Sequence, residues 1–108
     1  MKISGLIITL NEEMHIKECM QSMLQVCDDI VVVDSLSIDK TCDIANKLGA
    51  TVVKQKYLGD GPQRSHGLKF CKHEWVLNID ADERVDKEMA IEIQQMNLDQ
   101  NTFDSYEF

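Results

Sequence analysis

The chain has no dense basic segment, and that is its first exclusion. Its 11 lysines and arginines are outnumbered by 19 acidic residues, giving a formal net charge of -8. Nucleic-acid backbones are bound by clustered Lys and Arg, so nucleic acid is not an expected partner. The same acidity argues against direct attraction to an anionic membrane surface. No stretch approaches the roughly 18 apolar residues that a transmembrane helix needs. The opening Met1-Lys2-Ile3-Ser4-Gly5-Leu6-Ile7-Ile8 lacks the long apolar centre and small-residue cleavage site of a signal peptide, and Asn11-Glu12-Glu13 interrupts it. The four cysteines, Cys19, Cys27, Cys42 and Cys71, form no Cys-x-x-Cys pair and none lies beside a histidine at zinc spacing. Reduced, buried thiols are therefore expected, rather than disulfides or a metal site. His15, His66 and His73 are scattered. No repeat, low-complexity tract or linker divides the 108 residues, so one small domain is expected.

What is present is a core. Hydrophobic residues make up 44% of the chain, and they arrive in alternating types of pattern. Ile3 to Leu10 is β-branched and apolar, as in a strand buried on both faces. Asn11 is placed to cap a helix with Glu12 and Glu13 in its first turn, and Ile16, Met20, Met23, Leu24 and Cys27 recur at helical spacing. Ile30 to Val33 is a second strand ending at Asp34. After the polar loop 35–38, Ser37 or Asp39 caps a second helix with Ile44, Ala45 and Leu48 inside, and Gly49 ends it in a left-handed conformation. Thr51 to Val53 is a third strand. Tyr57 to Pro62 reads as a flexible loop, with Pro62 near the start of a third helix running to about Lys72. Glu74 to Ile79 is a fourth strand. Asp86 or its neighbour opens a fourth helix carrying Met89, Ile93 and Met96 on one face. Thr102 to Phe108 begins a fifth strand that runs to the chain end without a closing element. A piece of a longer protein is the expectation, with an ordinary edge strand as the alternative.

Strands alternating with helices predict an α/β fold: a Rossmann-like parallel sheet with helices on both faces. Ligands of such sheets bind beyond the carboxyl ends of the strands, where strand order reverses. Three polar groups fall at such ends: Thr9-Leu10-Asn11-Glu12, Asp34-Ser35, and Asp80-Ala81-Asp82. A strand order of 3-2-1-4 would gather them on one rim, with the reversal between strands one and four. An Asp-x-Asp spacing alone is a weak signal in a chain this rich in aspartate. Its position after Trp75-Val76-Leu77 gives it value, because carboxylates at the end of a buried strand suit a divalent cation and, through it, a phosphate. The plain structural readings are helix caps for Asn11 and Ser37, a turn start for Asp34, and solvated loop residues for Asp80 and Asp82.

These residues carry a resemblance. Ile7-Ile8-Thr9-Leu10-Asn11-Glu12-Glu13, Ile30-Val31-Val32-Val33-Asp34-Ser35, Asp39-Lys40-Thr41, Gly61-Pro62-Gln63-Arg64 and Leu77-Asn78-Ile79-Asp80-Ala81-Asp82-Glu83-Arg84-Val85 occur in the order found in glycosyltransferase family 2. The chain resembles the N-terminal, nucleotide-sugar-binding half of those GT-A enzymes. It looks most like the lipopolysaccharide-core β-1,4-glucosyltransferase subgroup. The resemblance implies that residues 1–108 are the donor-binding part of an inverting, metal-dependent transferase moving a hexose from a UDP-sugar to a glycan or lipid-linked acceptor. Thr9, Leu10, Asn11 and Glu12 would line the nucleotide pocket, and Asp34 would accept a hydrogen bond from the base. Arg64 would sit near the nucleotide, and Asp80 and Ala81 near the ribose and metal shell. Asp82, with Asp80, would hold Mg2+ or Mn2+. No catalytic base is assigned, since the family carries it on a segment beyond Phe108, and Glu83 belongs to the metal loop. The resemblance also implies a cytoplasmic protein, with peripheral placement at the inner face of the membrane open to the full-length form.

Two departures stand out. Leu36 replaces a glycine of the family loop, so backbone angles open to glycine are in question. Ser65 replaces the usual Asn after Arg64. A non-catalytic module that binds nucleotide, or self-associates through an open strand edge, is the alternative from another class. A phosphatase using the Asp-x-Asp pair fits less well, because such enzymes carry the pair after their first strand.

Overall fold

A computed structural model describes residues 2–95. Eight elements follow one another: β1 (Ile3–Thr9), α1 (Ile16–Met23), β2 (Asp29–Asp34), α2 (Thr41–Lys47), β3 (Thr51–Lys54), α3 (Asp60–Leu68), β4 (Trp75–Asn78) and α4 (Lys87–Gln95). The four strands form one sheet in the order β3-β2-β1-β4, with every pairing parallel. The order that would gather the three polar groups, with its reversal between β1 and β4, is therefore the one present. The expected fifth strand and Met96 lie outside the described residues.

The alternation of side chains along each strand separates two apolar layers. Ile3 and Ile7 of β1 with Ile30 and Val32 of β2 face one way, onto Ile16, Cys19, Met20 and Met23 of α1 and Ala90 and Ile93 of α4. Leu6, Val31, Val33 and Val76 face the other way, toward α3. Helix α3 offers few large apolar residues to that face and approaches instead through Gly67. A Cβ built there would lie 2.5 Å from Leu6 Cδ1 and 2.6 Å from Val33 Cγ2, well inside contact distance. Helices thus cover both faces, and no helix among the described residues is long and apolar enough to cross a membrane.

Several local expectations need correction. Asn11 does not cap the first helix. It sits in the left-handed region at φ 54, and its side-chain oxygen accepts the Ile38 N–H at 2.9 Å. The helix starts five residues later, behind His15, with no side-chain cap; Glu12 and Glu13 are left in the preceding loop. Its buried stripe includes Cys19, whereas Leu24 is 47% exposed. Helix α3 ends at Leu68, not near Lys72, because Lys69, Phe70 and Cys71 donate to carbonyls only three residues back, a tightened turn that ends the α-helix. Other signals hold. Asp39 Oδ1 accepts the Thr41 N–H at 2.9 Å at the start of α2, Asp86 Oδ1 accepts the Met89 N–H at 2.8 Å at α4, and Gly49 ends α2 at φ 92.

All four cysteines are free thiols. Burial pushes Cys27 up to about 12 and Cys19 and Cys71 up to about 11. Cys42 also rises to about 11, through burial and then its hydrogen bond to Asp34. None is an activated nucleophile.

Candidate functional site

A cleft of about 370 Å³ opens beyond the carboxyl ends of β1, β2 and β4. Its lining includes seven of the residues expected from sequence: Thr9, Leu10, Glu12, Arg64, Asp80, Ala81 and Asp82. Ile8, Ser35, Tyr57 and Asp60 complete it. Side chains more than 70 positions apart in sequence meet here because β1 lies between β2 and β4 in the sheet (the span from Thr9 to Asp82).

The acidic wall is a closed turn. After β4, the Glu83 N–H donates to the Asp80 carbonyl at 2.9 Å, and the Asp80 N–H donates to Glu83 Oε1 at 2.8 Å. Glu83 is thus spent on holding the loop. Ala81 and Val85 are buried beneath the turn, Arg84 donates to the carbonyls of Ala81 at 3.0 Å and Glu83 at 2.7 Å, and Ser22 of α1 accepts the Val85 N–H at 2.9 Å. Asp80 and Asp82 remain exposed on this scaffold. Among the described residues neither carboxylate makes a side-chain hydrogen bond or ion pair.

The opposite wall comes from α3. Arg64 lines the cleft, and its Nε is buried without a hydrogen-bond partner among the described residues. One turn earlier, Asp60 accepts a hydrogen bond from the Tyr57 hydroxyl. Gln63 is fully buried. Its Nε2 donates to the Gln55 carbonyl at 3.2 Å and to Ser35 Oγ at 3.3 Å, while its Oε1 has no partner among the described residues. An orphaned buried acceptor costs about 1–3 kcal/mol, which marks this amide as more than packing.

Two expected residues stand behind the cleft rather than in it. Asp34 is fully buried. Its Oδ1 accepts hydroxyl bonds from Thr9 and Ser37, each at 2.6 Å, and its Oδ2 accepts the Ser37 N–H at 2.7 Å. The residue that faces the cleft at the end of β2 is Ser35. Asn11 is likewise turned away, onto the β2–α2 loop. Its N–H donates to Ser37 Oγ at 2.7 Å. The two loops are further tied by the Glu12 N–H to Thr41 Oγ1 at 2.8 Å and the Glu13 N–H to Asp39 Oδ2 at 3.1 Å. Leu36 adopts a left-handed angle, φ 63, despite its side chain. The cost, about 1–2 kcal/mol, is offset by the bonds on either side of it.

Burial alone would raise the Asp34 carboxyl, but the hydroxyls of Ser37 and Thr9 and the Ser37 N–H outweigh it and hold it below its ordinary 3.8. A carboxyl lowered in the folded state contributes stability that is complete above its unfolded value. That contribution is lost as pH falls through the folded value. Asp34→Asn presents an amide to four donors, the Cys42 thiol included, and is expected to cost roughly 2–3 kcal/mol at pH 7. The gap between wild type and variant should narrow toward pH 3. Urea midpoints measured at both pH values check this; a gap that widens in acid would contradict the assignment.

The fold and cleft define a class: an α/β protein with a parallel Rossmann-like sheet and, at its switch point, a cleft lined by carboxylates and an arginine. Comparison with known proteins sharpens this. Residues 4–106 match the model of glycosyl transferase family 2. An uncharacterized glycosyltransferase of Rickettsia bellii is 46% identical over 100 residues, covering 93% of this chain and 34% of that protein. The lipopolysaccharide core biosynthesis glycosyltransferase LpsC of Rhizobium meliloti is 37% identical over 90 residues, covering 79% and 33%. Among solved structures, S. aureus TarS 1-349 superposes with a TM-score of 0.73 at 30% identity, over 87% of this chain and 31% of that one. Glucosyl-3-phosphoglycerate synthase from Mycobacterium tuberculosis, solved with Mn2+, UDP and glucosyl-3-phosphoglycerate, gives 0.65 at 28% identity, over 74% and 33%. The chain belongs to glycosyl transferase family 2, and its sheet is the N-terminal part of a GT-A fold. It spans about a third of the length of the proteins it matches.

Proposed function

We propose that this chain is the donor-binding portion of an inverting, metal-dependent glycosyltransferase. It would take a hexose from a UDP-sugar, for delivery to a glycan or lipopolysaccharide-core acceptor. The observation that carries the reading is the pairing of two unpartnered carboxylates, Asp80 and Asp82, with the unpartnered Arg64 Nε across one cleft. The Mn2+ and UDP found with the mycobacterial synthase, and the lipopolysaccharide-core role named for LpsC, support it.

The residues present suit a hard divalent cation. Mg2+ and Mn2+ bind through one or two carboxylates plus substrate phosphates, so a cage of protein ligands is not needed. Among the described residues no group of three or more ligating side chains exists. Asp82 and Asp80 would hold the ion, which when bound supplies positive charge against the charge growing on the leaving nucleoside diphosphate. Arg64 would add a guanidinium from the other side, where its orphaned Nε already lies in dry surroundings. Ile8 and Leu10 would floor the nucleoside, and Thr9 holds the rim by its bond to Asp34. The turn-locked Asp80–Glu83 segment keeps the carboxylates in place before the donor arrives. An acceptor hydroxyl would attack the anomeric carbon from the face opposite the diphosphate, with its base supplied from outside residues 2–95.

Calorimetric titration of the chain with UDP tests the reading. Binding with Kd on the order of 1 mM or tighter, about 4 kcal/mol, is expected with Mn2+ present and should collapse in EDTA. Binding that is indifferent to chelation would remove the metal from the proposal. No binding in either condition would remove the nucleotide.

A further inference from the structure

The Asp80–Glu83 turn is closed on itself by two hydrogen bonds, so it moves only as a unit. Its aim is set at its two ends. One end continues β4 through Ile79. The other is Val85, and both backbone groups of Val85 are taken by side chains 63 and 60 positions earlier in the chain. Ser22 Oγ accepts the Val85 N–H at 2.9 Å. Gln25 Nε2 donates to the Val85 carbonyl at 3.1 Å. A neighbouring strand would pair a residue in this way; here α1 and the turn that ends it take the place of a strand.

The polarity of each bond is fixed. Ser22 gives its hydroxyl proton to the Cys19 carbonyl at 2.7 Å, which leaves its oxygen to accept from Val85. Gln25 Nε2 also donates to the Ser22 carbonyl at 2.9 Å. Two carbonyls call for the NH2 end of the amide, so its orientation is settled. The segment after the turn returns to the same place, where Gln94 Nε2 of α4 donates to the Gln25 carbonyl at 3.2 Å. The buried Val85 side chain sets how deep the segment lies. Rotation of the peptide about that anchor is resisted by the two backbone bonds. Gln25 is exposed and Ser22 half-buried, so replacing either leaves the core untouched.

Resting on the donor-site reading above, we propose that Ser22 and Gln25 are positioning residues that clasp Val85 and so hold Asp80 and Asp82 in ion-binding aim before a cation arrives. Groups that orient metal ligands typically count for about 10- to 100-fold in affinity. The plain alternative is that Gln25 only caps the last turn of α1 through the Ser22 carbonyl.

Mn2+-dependent UDP binding by the 108-residue chain is the first readout. In Gln25→Glu a carboxylate faces two carbonyl oxygens and the clasp opens, while its added negative charge by itself favours a cation. The two effects have opposite signs. Affinity is expected to fall about tenfold; an unchanged or increased affinity overturns the proposal and leaves the donor-site reading standing. Ser22→Ala should show the same fall, and Ser22→Thr, which keeps the hydroxyl, should return to within about threefold of wild type. Amide exchange in the metal-free protein reads the clasp without any ligand. In Ser22→Ala the Val85 N–H should exchange about tenfold faster while the amides of β1 and β2 keep their wild-type rates. A merely structural role would speed all of these amides together, or leave Ser22→Thr as weak as Ser22→Ala, and either result overturns the proposal. If wild type shows no Mn2+-dependent UDP binding, the metal part of the donor-site reading falls and the clasp falls with it.

Discussion

Asp82→Ala is expected to weaken Mn2+-dependent UDP binding by about 100-fold, near 2.8 kcal/mol, while leaving the fold intact. The expectation follows from where the carboxylate stands. Its backbone is held by the Asp80–Glu83 turn, and that turn is anchored by Ala81, Val85 and the Arg84 guanidinium. None of these contacts involves the Asp82 side chain. Truncation should therefore remove a ligand without loosening the loop, and stability should move by less than about 0.5 kcal/mol. The chain is strongly acidic, so removing any negative charge changes its general attraction for cations. Glu88→Ala, an equal charge change on the exposed side of α4, separates the two effects and should bind UDP as wild type does. Equal losses in both variants would reduce Asp82 to a contributor of bulk charge, and so would an unaltered affinity in Asp82→Ala.

The second large effect is on stability. Gly67→Val is expected to cost roughly 3 kcal/mol, at the upper end for overpacking a closed interface. Gly67→Ala should cost about 1 kcal/mol. Even the alanine Cβ would meet Leu6 and Val33 at 2.5 and 2.6 Å. The Leu6 methyl can swing aside, but Val33 is β-branched and stiff at χ1, so part of the clash must be relieved by moving α3. Against this runs the gain of about 1 kcal/mol that alanine has over glycine within a helix. The sign of the Gly67→Ala change is therefore decisive. A rise in urea midpoint by the full helix-propensity gain would show that α3 is not seated as tightly as described. Because Arg64 lies one turn away on the same helix, Gly67→Val should also reduce UDP affinity.

Much of this arrangement was legible from residues. The alternation of strands and helices followed from apolar runs alternating with amphipathic ones. The supposed order 3-2-1-4 gathered the strand-end residues Thr9, Leu10, Glu12, Asp80, Ala81 and Asp82 on one rim, and Arg64 came from the family resemblance. The structure brings all seven to one cleft. What was not legible depended on side-chain direction and on partners distant in sequence. Asp34 is the register partner of Thr9, so the two side chains point the same way and bond each other, leaving Ser35 to face the cleft. Strand alternation offers that choice but cannot decide it where a strand frays into a loop. Asn11 satisfied every local criterion for a helix cap, yet the Ile38 N–H, 27 positions away, claims its oxygen. Gln63 stood within a segment that carries the family resemblance but was given no role, because a glutamine in a helix is ordinary until its partners just past β2 and β3, Ser35 and Gln55, are known. Leu36 put a glycine's angles in question; it takes a left-handed one, φ 63, held by the surrounding bonds.

Ser37 has a consequence beyond its own loop. It bonds Asp34 through both its N–H and its hydroxyl, and the same hydroxyl oxygen receives the Asn11 N–H. Two bends that L-residues resist, at Asn11 and Leu36, thus lean on a common keystone. The β1–α1 and β2–α2 segments are therefore not separable modules. Transplanting either one from a relative without its counterpart would leave an arch with half its stones, and specificity on this side of the molecule must change by paired substitutions or scarcely change.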